Sequence, residues 1–405
     1  MPSLARRLGT GDAVVLGLGS MIGAGVFAAF GPAARVAGAW LLVGLVIAAV
    51  LAYCNAVASA QLAAAYPTSG GTYIYGRERL GHWWGFTAGW GFIVGKTASC
   101  AAIALTFASY TVPGWAQRPV AVAVVVALAA LNYRGITRTA ALTRVLVAAS
   151  LAVLAAAVVG MTTGPTHPIE FHLSGGYSIL QSAGLLFFAF AGYARIATLG
   201  EEVRDPRRTI PRAILGALLI TVVLYLVIGV SALLAAGPER LAASGAPLAT
   251  AVEAAGAGAL APVVRVGAAL ATLGSLLALI AGVGRTTLAM ARHGDLPGWL
   301  SAVHPRHRVP HHAEIAVAVV VSLLVATVDL RGVIGFSSFG VLVYYAIANA
   351  AAYTQSGADR RWPRWLNVLG VAGCLTLVVT LPWQSVVAGV AVFAVGLAGR
   401  AVLRH

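Results

Sequence analysis

Charge is scarce in this sequence: only 10% of its 405 residues are Asp, Glu, Lys or Arg, against about 25% in an ordinary soluble domain. A chain that is 60% hydrophobic, with a mean hydropathy of +0.88, holds more apolar surface than a soluble core can hide. A water-soluble enzyme or binding module is therefore excluded. Cysteine is nearly missing: Cys54, Cys100 and Cys374 are an odd number inside apolar runs, so they read as small buried side chains, without a disulfide framework or a reactive thiol. No cleavable secretory signal is expected, because the apolar run after Arg6 and Arg7 is too long and no small-residue cleavage site closes it. Lysine occurs once, at Lys96, among 27 basic residues.

What the sequence does contain is apolar runs. A helix crossing the hydrocarbon needs roughly 20 residues, and runs bounded by Pro, Gly and charge give twelve candidate spans. Their cores are 12–31, 38–62, 82–110, 119–133, 140–162, 177–200, 211–236, 261–291, 313–328, 333–353, 365–381 and 383–402. Backbone amides in lipid must be satisfied inside a helix, so an all-α polytopic membrane protein with one integrated domain is the reading. Pro382 divides the last two segments, which are taken as a C-terminal hairpin within residues 365–402.

Arginine orients the spans. With a cytoplasmic N-terminus, that side receives twenty arginines, among them Arg6, Arg7, Arg77, Arg138, Arg204, Arg292, Arg306 and Arg404, and the other side receives five. This positive-inside asymmetry implies an even number of spans, both termini in the cytoplasm and a multi-pass protein of the inner membrane. It also accounts for the net charge of +15. The arginines are spread over many short loops and not gathered on one face, so no nucleic-acid partner is expected.

The first span carries the strongest functional signal. Gly17, Gly19, Gly23 and Gly25 fall within nine residues at mid-membrane depth. Close helix packing needs small residues four apart, whereas these also recur at spacing two. The pattern favours a broken helix whose unpaired backbone groups face a cavity.

Four stretches resemble the amino acid, polyamine and organocation permeases. Gly19 to Phe27 is similar to that family's first-helix signature, with Ala24 where serine or threonine is frequent. Pro67 to Tyr75, Glu201 to Ile214 and Arg285 to Pro297 are similar to its loops before the third helix, after the sixth and at the end of the eighth, with His293 where an acid is usual. The resemblance implies an inverted five-plus-five repeat of the LeuT-like type, residues 12–162 and 177–353, with the first and sixth helices broken and facing each other. In the sixth span, Phe187 to Arg195 supplies glycine and small residues amid aromatics. A well-packed aromatic core explains that segment equally well by itself, and the family tips it toward a break.

The implied site recognises an α-amino acid through backbone groups. Amides of Gly23, Ala24 and Gly25 at a half-helix N-terminus would hold a carboxylate. Carbonyls of Ser20, Met21 and Ile22, and of Phe188, Ala189, Phe190 and Ala191, would accept from an ammonium. Phe188, Phe190, Lys96, Ser275 and Leu279 are the candidate walls, and Glu201 and Glu202 with Arg77 and Arg292 a candidate gate. The two glutamates could equally make plain surface ion pairs with Arg204 and Arg208.

No acid lies inside a span, Asp12 and Glu314 being at ends, while Lys96 and Arg195 are positive and interior. That favours neutral, or acidic, amino acids over cationic ones. A charged lysine at mid-span must pair, bind substrate or give up its proton, which makes Lys96 the candidate for proton coupling. The lysine that related permeases carry on the fifth helix has no counterpart in Ala140 to Thr162. The expected function is a secondary active amino acid permease, with an exchanger or exporter of the same fold as the alternative. A channel lacks a repeated filter sequence here and a sensor lacks a signalling domain. No catalytic groups converge, so no enzyme, cofactor or metal is expected, and His304, His307, His311 and His312 read as a solvated loop.

Overall fold

The computed structural model describes residues 8–67, 70–135, 140–171, 175–200 and 202–403. Arg6, Arg7, Thr68, Ser69, Arg138, Glu201 and Arg404, named above, lie outside the described residues. The described chain is helical, and its one β-type contact is an isolated bridge between Leu8 and Val203.

The first span is in pieces: α1 (Thr10–Met21), then α2 (Gly25–Ala28) and α3 (Phe30–Ala37). A short 3-10 turn leads into α4 (Leu41–Ala65), and α5 (Thr72–Leu80) precedes α6 (His82–Thr111). Then come α7 (Gln117–Tyr133), α8 (Ala140–Thr162) and the second interrupted span, α9 (Gly176–Phe190) with α10 (Ala194–Ala197). The rest comprises α11 (Pro206–Ala243), α12 (Pro247–Ala254), α13 (Ala261–Arg292), α14 (His311–Thr327), α15 (Leu330–Tyr353), α16 (Arg364–Thr380) and α17 (Trp383–Leu403). Among the described residues, ten helical stretches are long and apolar enough to cross a membrane, and α14 and α16 are shorter apolar helices. All twelve expected spans have a helical counterpart.

The differences are local. The first span runs to Ala37, not to residue 31, because it is reset at its break and stops only where Gly38 turns left-handed (φ 57°). The stretch from Thr72 to Tyr75, expected in a loop, is the start of α5, which Gly71 (φ 57°) and Gly81 (φ 102°) bound. Helix α12 was not anticipated: at eight residues it is too short to register as an apolar run. Pro382 does separate α16 from α17, leaving two residues between them.

Burial sorts the helices. In α6 and α15, 78% and 83% of the most apolar window is buried within the protein, whereas α17 buries 22% and presents most of its surface outward. Helix α6 packs along α13 and α15, while α4, α9 and α11 enclose the broken first span with α3. Small residues permit these close approaches, as at Gly91 of α6, whose added Cβ would lie 2.9 Å from the Gly340 carbonyl oxygen of α15.

Two polar ties hold the arginine-rich face. The Leu8 amide donates to the Glu202 carbonyl (3.1 Å) and the Arg204 amide to the Leu8 carbonyl (2.9 Å), fastening the start of α1 to the segment after α10. Asp295, just after α13, is paired with Arg400 of α17 (Nε to Oδ1 2.9 Å), and both side chains are essentially sealed, at 1% and 0% exposure. Its other oxygen accepts from the Tyr73 hydroxyl of α5 at 2.8 Å and lies 3.9 Å from Arg77 Nη1. Burial and the adjacent Asp295 carboxylate push the Tyr73 hydroxyl up to about 12, so it stays a donor. The Arg400 guanidinium also rests on the rings of Trp83 (4.3 Å) and Phe86 (4.9 Å).

Removing one member of a buried pair strands the other charge, at a cost of about 3–5 kcal/mol. Asp295→Asn and Arg400→Met are each expected to lower the unfolding midpoint in detergent sharply. The double variant should lose clearly less than the sum, and strict additivity would show that the two side chains are not coupled.

Candidate functional site

The break in the first span is built from glycine. Helix α1 ends at Met21, and the Ile22 amide still closes on Leu18 (2.7 Å). The amides of Phe27 and Ala28 then close on the Ala24 carbonyl (3.1 and 2.9 Å), and that of Ala29 on Gly25 (3.0 Å). Between them, the amides of Gly23, Ala24 and Gly25 have no backbone acceptor among the described residues, as the first turn of a new helix requires. These residues are buried. Side chains would not fit: a Cβ on Gly23 would stand 2.1 Å from Ser275 Oγ, and one on Gly25 2.5 Å from Ala189 Cα.

The second break faces the first. Helix α9 ends at Phe190, and Ala191 to Tyr193 form a 3-10 turn before α10. Gly192 backs onto the end of α1, where an added Cβ would be 2.4 Å from the Ser20 carbonyl oxygen. Gly17 meets Ile196 of α10 in the same way. Thus α1 lies on α10 and α2 on α9, with both interruptions at one level.

Carbonyls released by the breaks are largely engaged by side chains. The Tyr225 hydroxyl, on α11 and 1% exposed, sits 2.6 Å from the Met21 oxygen and 3.1 Å from the Ala189 oxygen, so its single proton serves both helix ends. Lys96 Nζ donates to the Ala191 oxygen (3.0 Å), Ser275 Oγ to Gly19 (3.2 Å), and the Ala191 amide to Phe188. The carbonyls of Met21, Phe188, Ala189 and Ala191, expected to be open to an ammonium, therefore already accept in this state. An incoming cationic group reaches them only by displacing or sharing these donors.

The expected walls divide. Ser275 abuts Gly23, and Lys96 reaches the second break. Phe188 and Leu279 border the apolar cluster that contains Ala24. Phe190 is fully buried, its ring 5.2 Å from that of Tyr225, so it packs against the bridging tyrosine. A small cleft opens beside the first break, lined by Gly19, Ile22, Gly23, Leu146, Val147, Ser150 and Ala271.

Of the expected gate residues that are described, Arg77 faces Asp295, because α5 turns it toward the segment after α13, Arg292 is exposed at the end of α13, and Glu202 lies within electrostatic reach of Arg195. Tyr225, Asp295 and Arg400 were not singled out in the sequence. A lone tyrosine in the long apolar run of α11 was the available signal for the first.

A family model described as amino acid permease matches residues 8–395. An uncharacterized transporter of Mycobacterium tuberculosis is 60% identical, covering 99% of this chain and 92% of its own. A branched-chain amino acid permease of Bacillus subtilis is 27% identical over 95% of this chain and 90% of its own. A chloroplastic cationic amino acid transporter of Arabidopsis thaliana is 28% identical over 95% and 72%. The chain belongs to the amino acid permease family.

Gly25→Val places a branched side chain against the Ala189 backbone and must part α2 from α9. The variant is expected to insert in the membrane and to lose substrate binding by at least about tenfold, a loss of roughly 1.4 kcal/mol. Normal affinity in Gly25→Val, measured on purified protein, would remove the break from the binding site.

Proposed function

We propose that this permease carries neutral amino acids by alternating access, with the substrate held between the two helix breaks and Lys96 coupling transport to protons. The observation that carries the reading is the stretch of buried, unengaged amides at Gly23, Ala24 and Gly25, opposite a second break that accepts from a lysine. Amides at a half-helix N-terminus suit a carboxylate. The carbonyl ends, once Tyr225 or Lys96 yields, suit an ammonium. An α-amino acid brings both groups in one molecule.

Selectivity for neutral side chains rests on what surrounds the breaks. Among the described residues no carboxylate is bonded to either one. Glu314 is buried, but at the first turn of α14 against Gly284, with Arg285 in electrostatic reach. The small cleft beside the first break is bordered by the apolar side chains Leu146, Val147 and Ala271. The branched-chain amino acid permease of Bacillus subtilis is a relative whose name agrees with this reading, whereas the Arabidopsis relative is named a cationic amino acid transporter.

Residues 12–162 and 177–353 act in this reading as inverted halves, each contributing one broken helix. Both termini lie in the cytoplasm, following the arginine bias. An exchanger or exporter would use the same site and differ only in its driving force.

Lys96 is 7% exposed, and among the described residues no carboxylate pairs with it, so its charge is held by backbone alone. Uptake into proteoliposomes by Lys96→Met, measured at several external pH values, tests the coupling. The pH dependence is expected to vanish while exchange partly remains. Unchanged proton-driven accumulation would overturn the role of Lys96, and counterflow without any response to a proton gradient in the parent chain would favour the exchanger.

A further inference from the structure

We propose that His304 is a pH-sensitive pin: its neutral ring closes the turn between α13 and α14, and protonation of that ring opens it. The backbone amides of Arg306 and His307 both point at His304 Nδ1, at 3.2 Å each. A nitrogen that accepts these bonds carries a lone pair and no proton, so the imidazole is neutral with its hydrogen on Nε2. Two backbone bonds complete the turn, His304 N to Val309 O and Arg308 N to His304 O, both 2.9 Å. Within it, Arg308 is held left-handed at φ 54°, a conformation that the closed turn imposes on a non-glycine residue.

The surroundings offer a new cation little relief. The ring of His304 lies 4.7 Å from that of His307, 5.4 Å from that of His311 and 5.2 Å from that of Tyr133, at the end of α7. His311 in turn is 4.2 Å from His312, whose Nδ1 is bonded to the Trp299 carbonyl (2.8 Å). The charged or titratable groups on the packed elements are Arg134 after α7, Arg285, Arg292 and His293 at the end of α13, Arg306 and Arg308 in the turn, and His311, His312 and Glu314 on α14. The acidic ones are Glu314, which is turned onto Gly284, and Asp295, earlier on the same connection, which is paired with Arg400. Among the described residues, no three His, Cys, Asp or Glu side chains are arranged to hold a metal ion.

The closed turn binds one proton fewer than the open one at His304, so acidification favours the open turn.

Hydrogen–deuterium exchange on the purified full chain reads this out as protection factors, corrected for intrinsic rates, at the amides of Arg306 and His307. Between pH 7.5 and 5.5 protection should fall by about tenfold, as uptake of one proton on opening requires. His304→Asn presents an oxygen near the Nδ1 position that cannot be protonated in this range, and it should stay protected at both values. Equal protection of the parent chain at the two pH values, or loss of protection in the asparagine variant, overturns the proposal.

Discussion

A backbone amide or carbonyl inside a lipid bilayer has no water to turn to, and this constraint governs the molecule. Across most of its length the chain meets the requirement with uninterrupted helix. At two facing points it does not. There the helices stop at Met21 and at Phe190, and other elements supply what the helices give up: Tyr225 reaches from α11 to the Met21 and Ala189 oxygens, and Lys96 from α6 to that of Ala191. The amides of Gly23, Ala24 and Gly25 are left over, and a polar solute is the group that would complete them. Glycine is required at Gly23, Gly25 and Gly192 because each opposes a neighbour closer than a Cβ allows.

Charge is used as sparingly as polar backbone. Lys96 lies at the level of the breaks, where it donates to the Ala191 carbonyl and, among the described residues, pairs with no carboxylate. The Asp295 and Arg400 pair is of another kind. Sealed at the arginine-rich face and supplemented by Tyr73, Trp83 and Phe86, it joins α5, α6, the end of α13 and α17. On the same face, the bridge between Leu8 and Val203 makes the start of α1 and the segment after α10 one piece. The two broken helices are therefore tied to each other through backbone hydrogen bonds, and the helices beside them to one another through a buried ion pair.

The spans and the first break were legible in the sequence because apolar length and glycine spacing are local properties. Gly19, Gly23 and Gly25 announce an interruption without reference to any other helix. The second break was less distinct, since Phe187 to Arg195 reads equally as an aromatic core, and Phe187 and Phe190 are indeed packed as one against Tyr345 and Tyr225. Tyr225 could not be placed at the site because its role depends on two carbonyls more than 30 positions away along the chain. The contact of Arg77 with Asp295 was not legible for a related reason: it depends on the rotation of α5, which no local pattern fixes.

The central claim is that the breaks recognise the carboxylate and the ammonium of a neutral amino acid together. Thermal stabilisation of the purified chain measures this directly, comparing L-leucine and L-valine with the amines that lack the carboxylate, the acids that lack the amine, and L-arginine. The account predicts stabilisation by a neutral amino acid that is lost when either group is removed and is absent or weaker for L-arginine. Equal stabilisation by an amine without the carboxylate, or stabilisation by L-arginine alone, would contradict it.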